Sequence, residues 1–250
     1  MKRLVVFFAL LFATTPALAH FGMLIPDTPE VHEDNTALGL TMRFWHPRTN
    51  EGMNMAKPEK FGVYFSAKDH DLTPFLQPIQ ENGFAIWRAK YEIVQPGDYI
   101  FYVSLAPYWE ETEKTHIIHH VKVIVNSWDQ QDSWDVSLGL PLEIIPLTRP
   151  YGLYAGNVFT GQVLLKGQPL GHTKLEIEYY DPTQTKIPIS ESLATQIVKT
   201  DEKGYFTFAF PWAGWWGMTA LTDGDSVTVD GKQGALEVGG ALWLYVSETR

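Results

Sequence analysis

Hydrophobic and polar residues alternate with a period of two along much of the chain. In residues 38–44 every second residue is apolar: Leu38, Leu40, Met42 and Phe44. This spacing places alternate side chains on opposite faces of a β-strand. Similar runs predict strands at 61–65, 84–87, 98–103, 116–125, 158–165, 174–180, 196–200, 205–210, 218–221 and 242–246. No segment shows a convincing helical period, so the sequence predicts an all-β protein.

A polar stretch separates the predicted strands into two sets. Residues 126–139 contain two tryptophans and several Asp and Gln residues but no strand pattern. Short strands with Gly and Pro turns are typical of β-sandwiches of roughly 100 residues. We therefore predict two β-sandwich domains in tandem, Ig-like or transthyretin-like, over residues 20–126 and 148–250. Residues 127–147 form the predicted linker or bridging segment.

The first 19 residues have the pattern of a secretory signal peptide. Lys2 and Arg3 precede an apolar run over 4–13, and Ala17-Leu18-Ala19 supplies small residues for cleavage. The apolar run is much shorter than the roughly 20 residues of a membrane-spanning helix. We expect cleavage after Ala19, a periplasmic mature protein without a transmembrane segment, and His20 as its first residue. The following stretch, 21–35, lacks a sustained period, and we expect it to run extended along the surface.

Composition limits the possible functions. The formal net charge is −10, and it becomes −12 once Lys2 and Arg3 are removed. Such an acidic chain is a poor candidate for nucleic acid, which requires clusters of Lys and Arg. The chain has no cysteine, so a metal would have to be bound by imidazole, amine, carboxylate or thioether groups.

Histidines are concentrated in the first half of the chain. Seven of the eight precede residue 121. An N-terminal His20 would offer its α-amine and its Nδ1 to one metal ion, and both groups lose their protons near neutral pH. His46 ends a predicted strand, and His119 is on the inward face of strand 116–125. Ordinary structural roles remain open for both: His46 as a strand cap, and His119 as a core residue with one hydrogen bond.

Other residues leave further alternatives. His116 and His120 are on the more polar face of strand 116–125, and whether either joins a metal site is open. Met53 and Met55, with Met23, are either candidate thioether ligands for Cu(I) or ordinary mobile loop residues. Trp212, Trp215 and Trp216 form either a flat binding surface or the closed end of a sandwich core. The chain lacks the common catalytic and phosphate-binding motifs, so we expect a protein that is not an enzyme.

Several short motifs lie along the chain: Ala19-His20, Phe44-Trp-His-Pro47, Pro96-Gly-Asp-Tyr99, Pro107-Tyr-Trp109, Ile118-His119 with Lys122, Pro141-Leu-Glu-Ile-Ile-Pro-Leu147 and Gly214-Trp-Trp216. Together they resemble the CbiK/NikK-type periplasmic component of nickel and cobalt transport systems. The resemblance implies a protein that delivers Ni²⁺ or Co²⁺ to membrane-embedded subunits of an energy-coupling-factor importer. It also implies His20, His46 and His119 as the metal ligands. The second half is similar to transthyretin or carboxypeptidase-regulatory sandwiches.

Two other functions remain open at this point. A copper-binding protein or oxidative enzyme would also use an N-terminal histidine, and copper outcompetes nickel at nitrogen ligands. A metal-free adhesion or scaffold protein would need only the two sandwiches and the tryptophan cluster.

Overall fold

β-Strands make up most of the chain in the computed structural model, which describes residues 21–185 and 190–249. The strands of the first half are β1 (Phe21–Pro26), β2 (Glu30–Val31), β3 (Ala37–Trp45), β4 (Lys60–Phe65), β5 (Lys68–Asp71), β6 (Gln77–Glu81), β7 (Phe84–Glu92), β8 (Gly97–Ser104), β9 (Tyr108–Glu110) and β10 (Thr115–Ser127). A short 3₁₀ helix, Thr73–Phe75, lies between β5 and β6.

The second half of the chain also consists mainly of β-strands. Its elements are β11 (Leu142–Pro146), β12 (Leu153–Tyr154), β13 (Val158–Leu165), β14 (Gln168–Pro169), β15 (Lys174–Tyr180), the four-residue helix α1 (Glu191–Ala194), β16 (Thr195–Lys199), β17 (Tyr205–Ala209), β18 (Gly214–Val229) and β19 (Lys232–Ser247). The prediction of an all-β fold is confirmed.

The strands form three sheets. The first outer sheet has the order β1-β3-β7-β6, and the second outer sheet contains β11, β13, β14 and β17. Between them lies a central sheet with the order β16-β15-β18-β19-β10-β8-β4-β5. Strands β10 and β19 pair in parallel, from Thr115 opposite Ala235 to Val123 opposite Trp243. This pairing makes the central sheet continuous across both halves of the chain.

Each face of the central sheet carries its own hydrophobic core. In β19, Ala241 and Trp243 belong to the core beneath the first outer sheet, whereas Leu242 and Leu244 belong to the core beneath the second. Because successive strand residues point to opposite faces, the two cores lie on opposite sides of the central sheet. The chain therefore forms two β-sandwiches in tandem that share one sheet.

The predicted strands agree well with the observed ones, with one clear correction at the start. The expectation that 21–35 lies along the surface is wrong for β1, in which all six residues are buried. β1 pairs with β3 and also packs against β10 and β19 of the central sheet. Consecutive apolar residues, Phe21 to Ile25 apart from Gly22, are typical of a strand that is covered on both faces.

The predicted linker is anchored by one buried carboxylate. Asp98 is fully buried, and its Oδ2 accepts hydrogen bonds from the backbone N–H groups of Asp132 (2.9 Å), Ser133 (3.0 Å) and Trp134 (3.2 Å). Its Oδ1 accepts one from the Tyr151 hydroxyl at 2.7 Å. The segment between β10 and β11 is thus held to β8 of the central sheet, and Trp134, Val136 and Leu138 of this segment pack against the second core. The placement of the domain boundary in 127–147 stays a prediction.

Candidate metal centre

The start of β1 lies beside β3 and β10, the strands that carry the predicted ligands. Phe21 pairs with Trp45, and Gly22 pairs with Phe44. His20, the predicted N-terminal ligand, lies outside the described residues. The residues that follow it are therefore the structural evidence for this end of the chain.

His119 contacts both β1 and β3. Its ring is 1% exposed, and its Nδ1 accepts a hydrogen bond of 3.0 Å from the backbone N–H of Gly22. The ring also packs edge-on against Phe44, with 5.4 Å between ring centroids. The prediction that His119 points to the inward face of β10 is confirmed by this burial.

Two glycines make room for His119. A β-carbon at Gly22 would lie 2.9 Å from Cβ of His119, and one at Gly239 would lie 2.5 Å from Nε2. Gly239 is the residue opposite His119 in the β10–β19 pairing. Any larger residue at position 239 would occupy space that the imidazole now fills.

The hydrogen bond from Gly22 fixes the tautomer of His119. A backbone N–H can only donate, so Nδ1 acts as the acceptor and the neutral ring carries its proton on Nε2. Nε2 is then the nitrogen at which a cation could replace a proton. A neutral metal-bound imidazole keeps its proton on the other nitrogen, and in proteins it usually donates that proton to an acceptor. Here the neighbour is a donor, so metal binding at Nε2 requires the Gly22 contact to change.

A small pocket lies next to His119. Its volume is about 50 Å³, and it opens between residues 54–56 and residues 105–108. The remaining lining residues are Phe44, Ile117 and His119. Burial raises the pKa of Tyr108, one of the lining side chains, which keeps its phenol protonated. The described lining contains no carboxylate, which is unlike the oxygen-rich sites of Ca²⁺ or Mg²⁺.

His46 lies immediately after β3, two residues beyond Phe44. Its backbone N–H donates to the Glu51 carbonyl at 2.9 Å, and its carbonyl accepts from the Asn50 N–H at 3.0 Å. The residue is 9% exposed. This turn places His46 at the end of β3 that pairs with the start of β1. His46 is therefore two residues from Phe44, whose ring contacts the ring of His119.

Within residues 21–185 and 190–249, no three His, Asp or Glu side chains are grouped closely enough to hold a metal ion. His46 and His119 are the two predicted ligands in this part of the chain. Their donor chemistry fits borderline metals such as Ni²⁺, Co²⁺ and Cu²⁺, which favour imidazole nitrogen.

The two histidines beside His119 have other surroundings. His116 is 2% exposed, its Nε2 donates to the Lys232 carbonyl at 2.9 Å, and its ring packs on Trp109. His120 Nδ1 lies 2.9 Å from the Ser104 hydroxyl, and burial lowers its pKa to about 4. Both point away from the His119 face, as predicted, but His116 is buried rather than on a polar surface.

The methionine and tryptophan candidates lie in different parts of the structure. Met23 is fully buried and Met55 is 7% exposed, so the interpretation of these methionines as mobile loop residues is wrong. Met55 lines the pocket beside His119, which its sequence position alone did not reveal. Trp216 is buried in the second core with Trp212 packed beside it, whereas Trp215 packs against the first core. The three tryptophans therefore do not close one core together.

The fold and this pocket define an all-β protein of two sandwiches with a buried histidine beside a small, carboxylate-free pocket. The chain belongs to the family described as a domain of unknown function (DUF4198), whose family model matches residues 17–224. No curated protein sequence matches it. In the described residues, no helix has the length and apolar character needed to cross a membrane.

Solved structures give distant likenesses. The latent PorU dimer of Porphyromonas gingivalis is 11% identical over 92% of this chain and 20% of that chain, with a TM-score of 0.24. The adhesin InvE of Yersinia pseudotuberculosis is 11% identical over 88% of this chain and 58% of that one, with a TM-score of 0.24. A putative carbohydrate-binding protein of Bacteroides uniformis is 10% identical over 82% and 96%, with a TM-score of 0.23. The chain thus spans a fifth of PorU, and likenesses at these scores do not inform its function.

Proposed function

We propose that this protein is an exported carrier of Ni²⁺ or Co²⁺ whose site is formed by His20, His46 and His119. The observation that carries the proposal is the close contact between β1 and β10, in which the Gly22 nitrogen lies 3.0 Å from His119 Nδ1. It joins the strand that directly follows His20 to a second predicted ligand.

Chain connectivity supports a common site. Two peptide units separate residue 20 from Gly22, and an extended chain spans at most about 3.6 Å per residue. Donors on residue 20 are therefore within reach of the His119 region. Phe21 and Trp45 are paired, and their next neighbours along the chain are His20 and His46.

The chemistry of the region supports a borderline transition metal. The pocket lining offers imidazole and thioether groups, without carboxylates. Ni²⁺ and Co²⁺ accept imidazole and amine nitrogen, whereas hard cations prefer oxygen. The net negative charge of the protein raises the local concentration of any cation.

Two further parts of the proposal follow from the sequence. The signal-like segment 1–19 supports export to the periplasm, and the resemblance to nickel and cobalt transport components supports membrane importer subunits as partners. Copper is the second candidate metal, because it binds nitrogen ligands more tightly than nickel does.

The decisive experiment compares two forms of the protein that differ only at the N-terminus. One form is exported and processed so that it begins at His20, and the other carries one additional residue before His20. The extension converts the α-amine to an amide without a basic lone pair. We expect Ni²⁺ and Co²⁺ affinity to fall by about tenfold or more in the extended form, because the chelate is lost.

His46→Ala and His119→Ala should weaken binding as well, whereas His32→Ala is a matched control, because His32 is an exposed histidine close to the N-terminus. Equal binding by the native and extended forms would exclude the α-amine as a ligand. If the native form binds neither Ni²⁺ nor Co²⁺ above background, the proposed function itself is wrong.

A further inference from the structure

We infer that Met55 supplies a thioether ligand to the proposed metal site and gives that site affinity for Cu(I). The inference rests on the proposed function, because it places an additional donor beside His119. It concerns a different metal from the proposed one, a soft monovalent ion.

The position of Met55 is fixed by its backbone. Its N–H donates to the Ala85 carbonyl at 2.9 Å, and its carbonyl accepts from Trp87 Nε1 at 3.1 Å. The preceding residue, Asn54, accepts the Ala85 N–H through Oδ1 at 2.8 Å. The segment is therefore tied to β7 at three points, which fixes the backbone from which the Met55 side chain extends before any ligand binds.

Met55 and His119 line the same pocket of about 50 Å³. A cavity needs only roughly 10–15 Å³ to hold a water molecule, so one cation fits this space. Burial is nearly complete for both side chains, at 7% and 1% exposed. A bound ion would be shielded from water, which favours an ion that needs few oxygen ligands.

The other polar groups of the lining are poor ligands. The Asn54 carbonyl oxygen already accepts a backbone hydrogen bond. The Tyr108 phenol has a pKa raised by burial, so it remains protonated at neutral pH. Among the described lining side chains, His119 supplies an imidazole and Met55 supplies a thioether sulfur. A nitrogen and thioether pair without carboxylates matches the preference of Cu(I) for soft ligands.

The alternative role for Met55 is to fill the first core, where it packs among buried residues. Met55→Leu separates the two roles, since leucine keeps the apolar volume and removes the sulfur. Met53 provides a matched control. It belongs to the same segment and packs against the same core, but it does not line the pocket.

The experiment uses the mature protein and both leucine variants. Cu(I) affinity is measured by anaerobic competition with bicinchoninate, and Ni²⁺ affinity is measured in parallel. We expect Met55→Leu to lose about tenfold or more in Cu(I) affinity and less than about threefold in Ni²⁺ affinity, and Met53→Leu to lose neither. X-ray absorption at the copper edge should show a sulfur neighbour in the wild type and Met53→Leu proteins but not in Met55→Leu.

The outcomes distinguish the two proposals. Cu(I) binding that is the same in wild type and Met55→Leu, or a wild-type spectrum without a sulfur neighbour, would overturn the role of Met55 and leave the nickel and cobalt site intact. Absence of Ni²⁺ and Co²⁺ binding in the wild type would overturn the proposed function. A loss of Cu(I) affinity in both variants would assign the effect to core packing and contradict the inference.

Discussion

The ammonium of Lys122 lies 2.8 Å from the carboxylate of Glu143, and each side chain is 1% exposed. The pair joins β10 of the central sheet to β11 of the second outer sheet. The carboxylate also accepts hydrogen bonds from the Ser137 hydroxyl and from the N–H groups of Leu138 and Gly139, at 2.8, 2.9 and 3.1 Å. Burial lowers the pKa of Lys122, and the Glu143 carboxylate opposes that shift.

Loss of Glu143 should lower the free energy of unfolding more than loss of Lys122. Removing one partner of a buried ion pair costs about 3–5 kcal/mol. We expect Glu143→Met to reach this range, because it leaves a buried ammonium and two backbone donors without their acceptor. Lys122→Met should cost less, since three donors still hold the carboxylate. Urea denaturation measures both.

Lys114→Met is a suitable control for this comparison. Lys114 pairs with Glu111 on the surface, where the two side chains are 63% and 69% exposed, and exposed pairs contribute at most about 1 kcal/mol. If Glu143→Met cost no more than Lys114→Met, the buried pair would not be a structural tie between the sandwiches.

Stability should fall in mild acid because of His120. Burial lowers its pKa from 6.5 to about 4, so the folded protein keeps the ring neutral while the unfolded chain takes up a proton. The contribution is complete above pH 6.5 and is lost as the pH falls from 6.5 toward 4. The full difference amounts to roughly 3 kcal/mol.

His120→Gln tests this assignment. Glutamine does not titrate and can still accept a hydrogen bond from Ser104. The free energy of unfolding, measured in urea at pH 7 and pH 5, should change less in this variant than in the wild type. An identical change in both proteins would assign the acid sensitivity to other groups.

The pattern of β10 shows how far sequence reasoning reaches. Alternation correctly placed Val121 and Val123 with His119 on one face, because the strand period is two. It did not predict that Lys122 and His116, on the other face, would be buried. Their burial arises from the parallel pairing of β10 with β19, between residues 120 positions apart, and, for Lys122, from Glu143 of the second outer sheet, 21 positions along the chain. A local pattern carries no information about such contacts.

The sequence likewise revealed only part of the candidate site. Residue type suggested His46 and His119, and the structure brings their surroundings together through the β1–β3 register and the Gly22 hydrogen bond. Met55 belongs to a segment without strand periodicity, so its approach to His119 depended on backbone bonds to β7 that the sequence did not reveal. His20 lies outside the described residues, and its role stays a prediction.

Metal binding at His119 should be visible at the amide of Gly22. When Nε2 binds a cation and the ring stays neutral, Nδ1 carries the proton and no longer accepts the Gly22 N–H. We expect the Gly22 amide signal to shift and its hydrogen exchange to accelerate on addition of Zn²⁺, a diamagnetic ion that binds imidazole. The Asp27 amide, which donates to the Gly39 carbonyl at 2.9 Å, should be unaffected. Zn²⁺ binding with an unchanged Gly22 amide would show that His119 does not bind through Nε2.

Gly239 should be required for metal binding although it is not itself a ligand. A β-carbon at this position would lie 2.4 Å from Cδ2 and 2.5 Å from Nε2 of His119, which is closer than non-bonded atoms approach. In Gly239→Ala the imidazole must therefore move away from position 239, and the proposed ligand nitrogen moves with it. Because backbone pairing of β10 with β19 does not depend on this side chain, we expect the variant to fold with a loss of about 1–3 kcal/mol and to bind Ni²⁺ at least about tenfold more weakly.

Gly224→Ala, also in the β18–β19 ladder, is the control, because its nearest neighbours are side-chain atoms of Leu236 rather than His119. Calorimetric titration with Ni²⁺ compares the two variants, and circular dichroism verifies that both are folded. Unchanged Ni²⁺ affinity in a folded Gly239→Ala protein would remove His119 from the site.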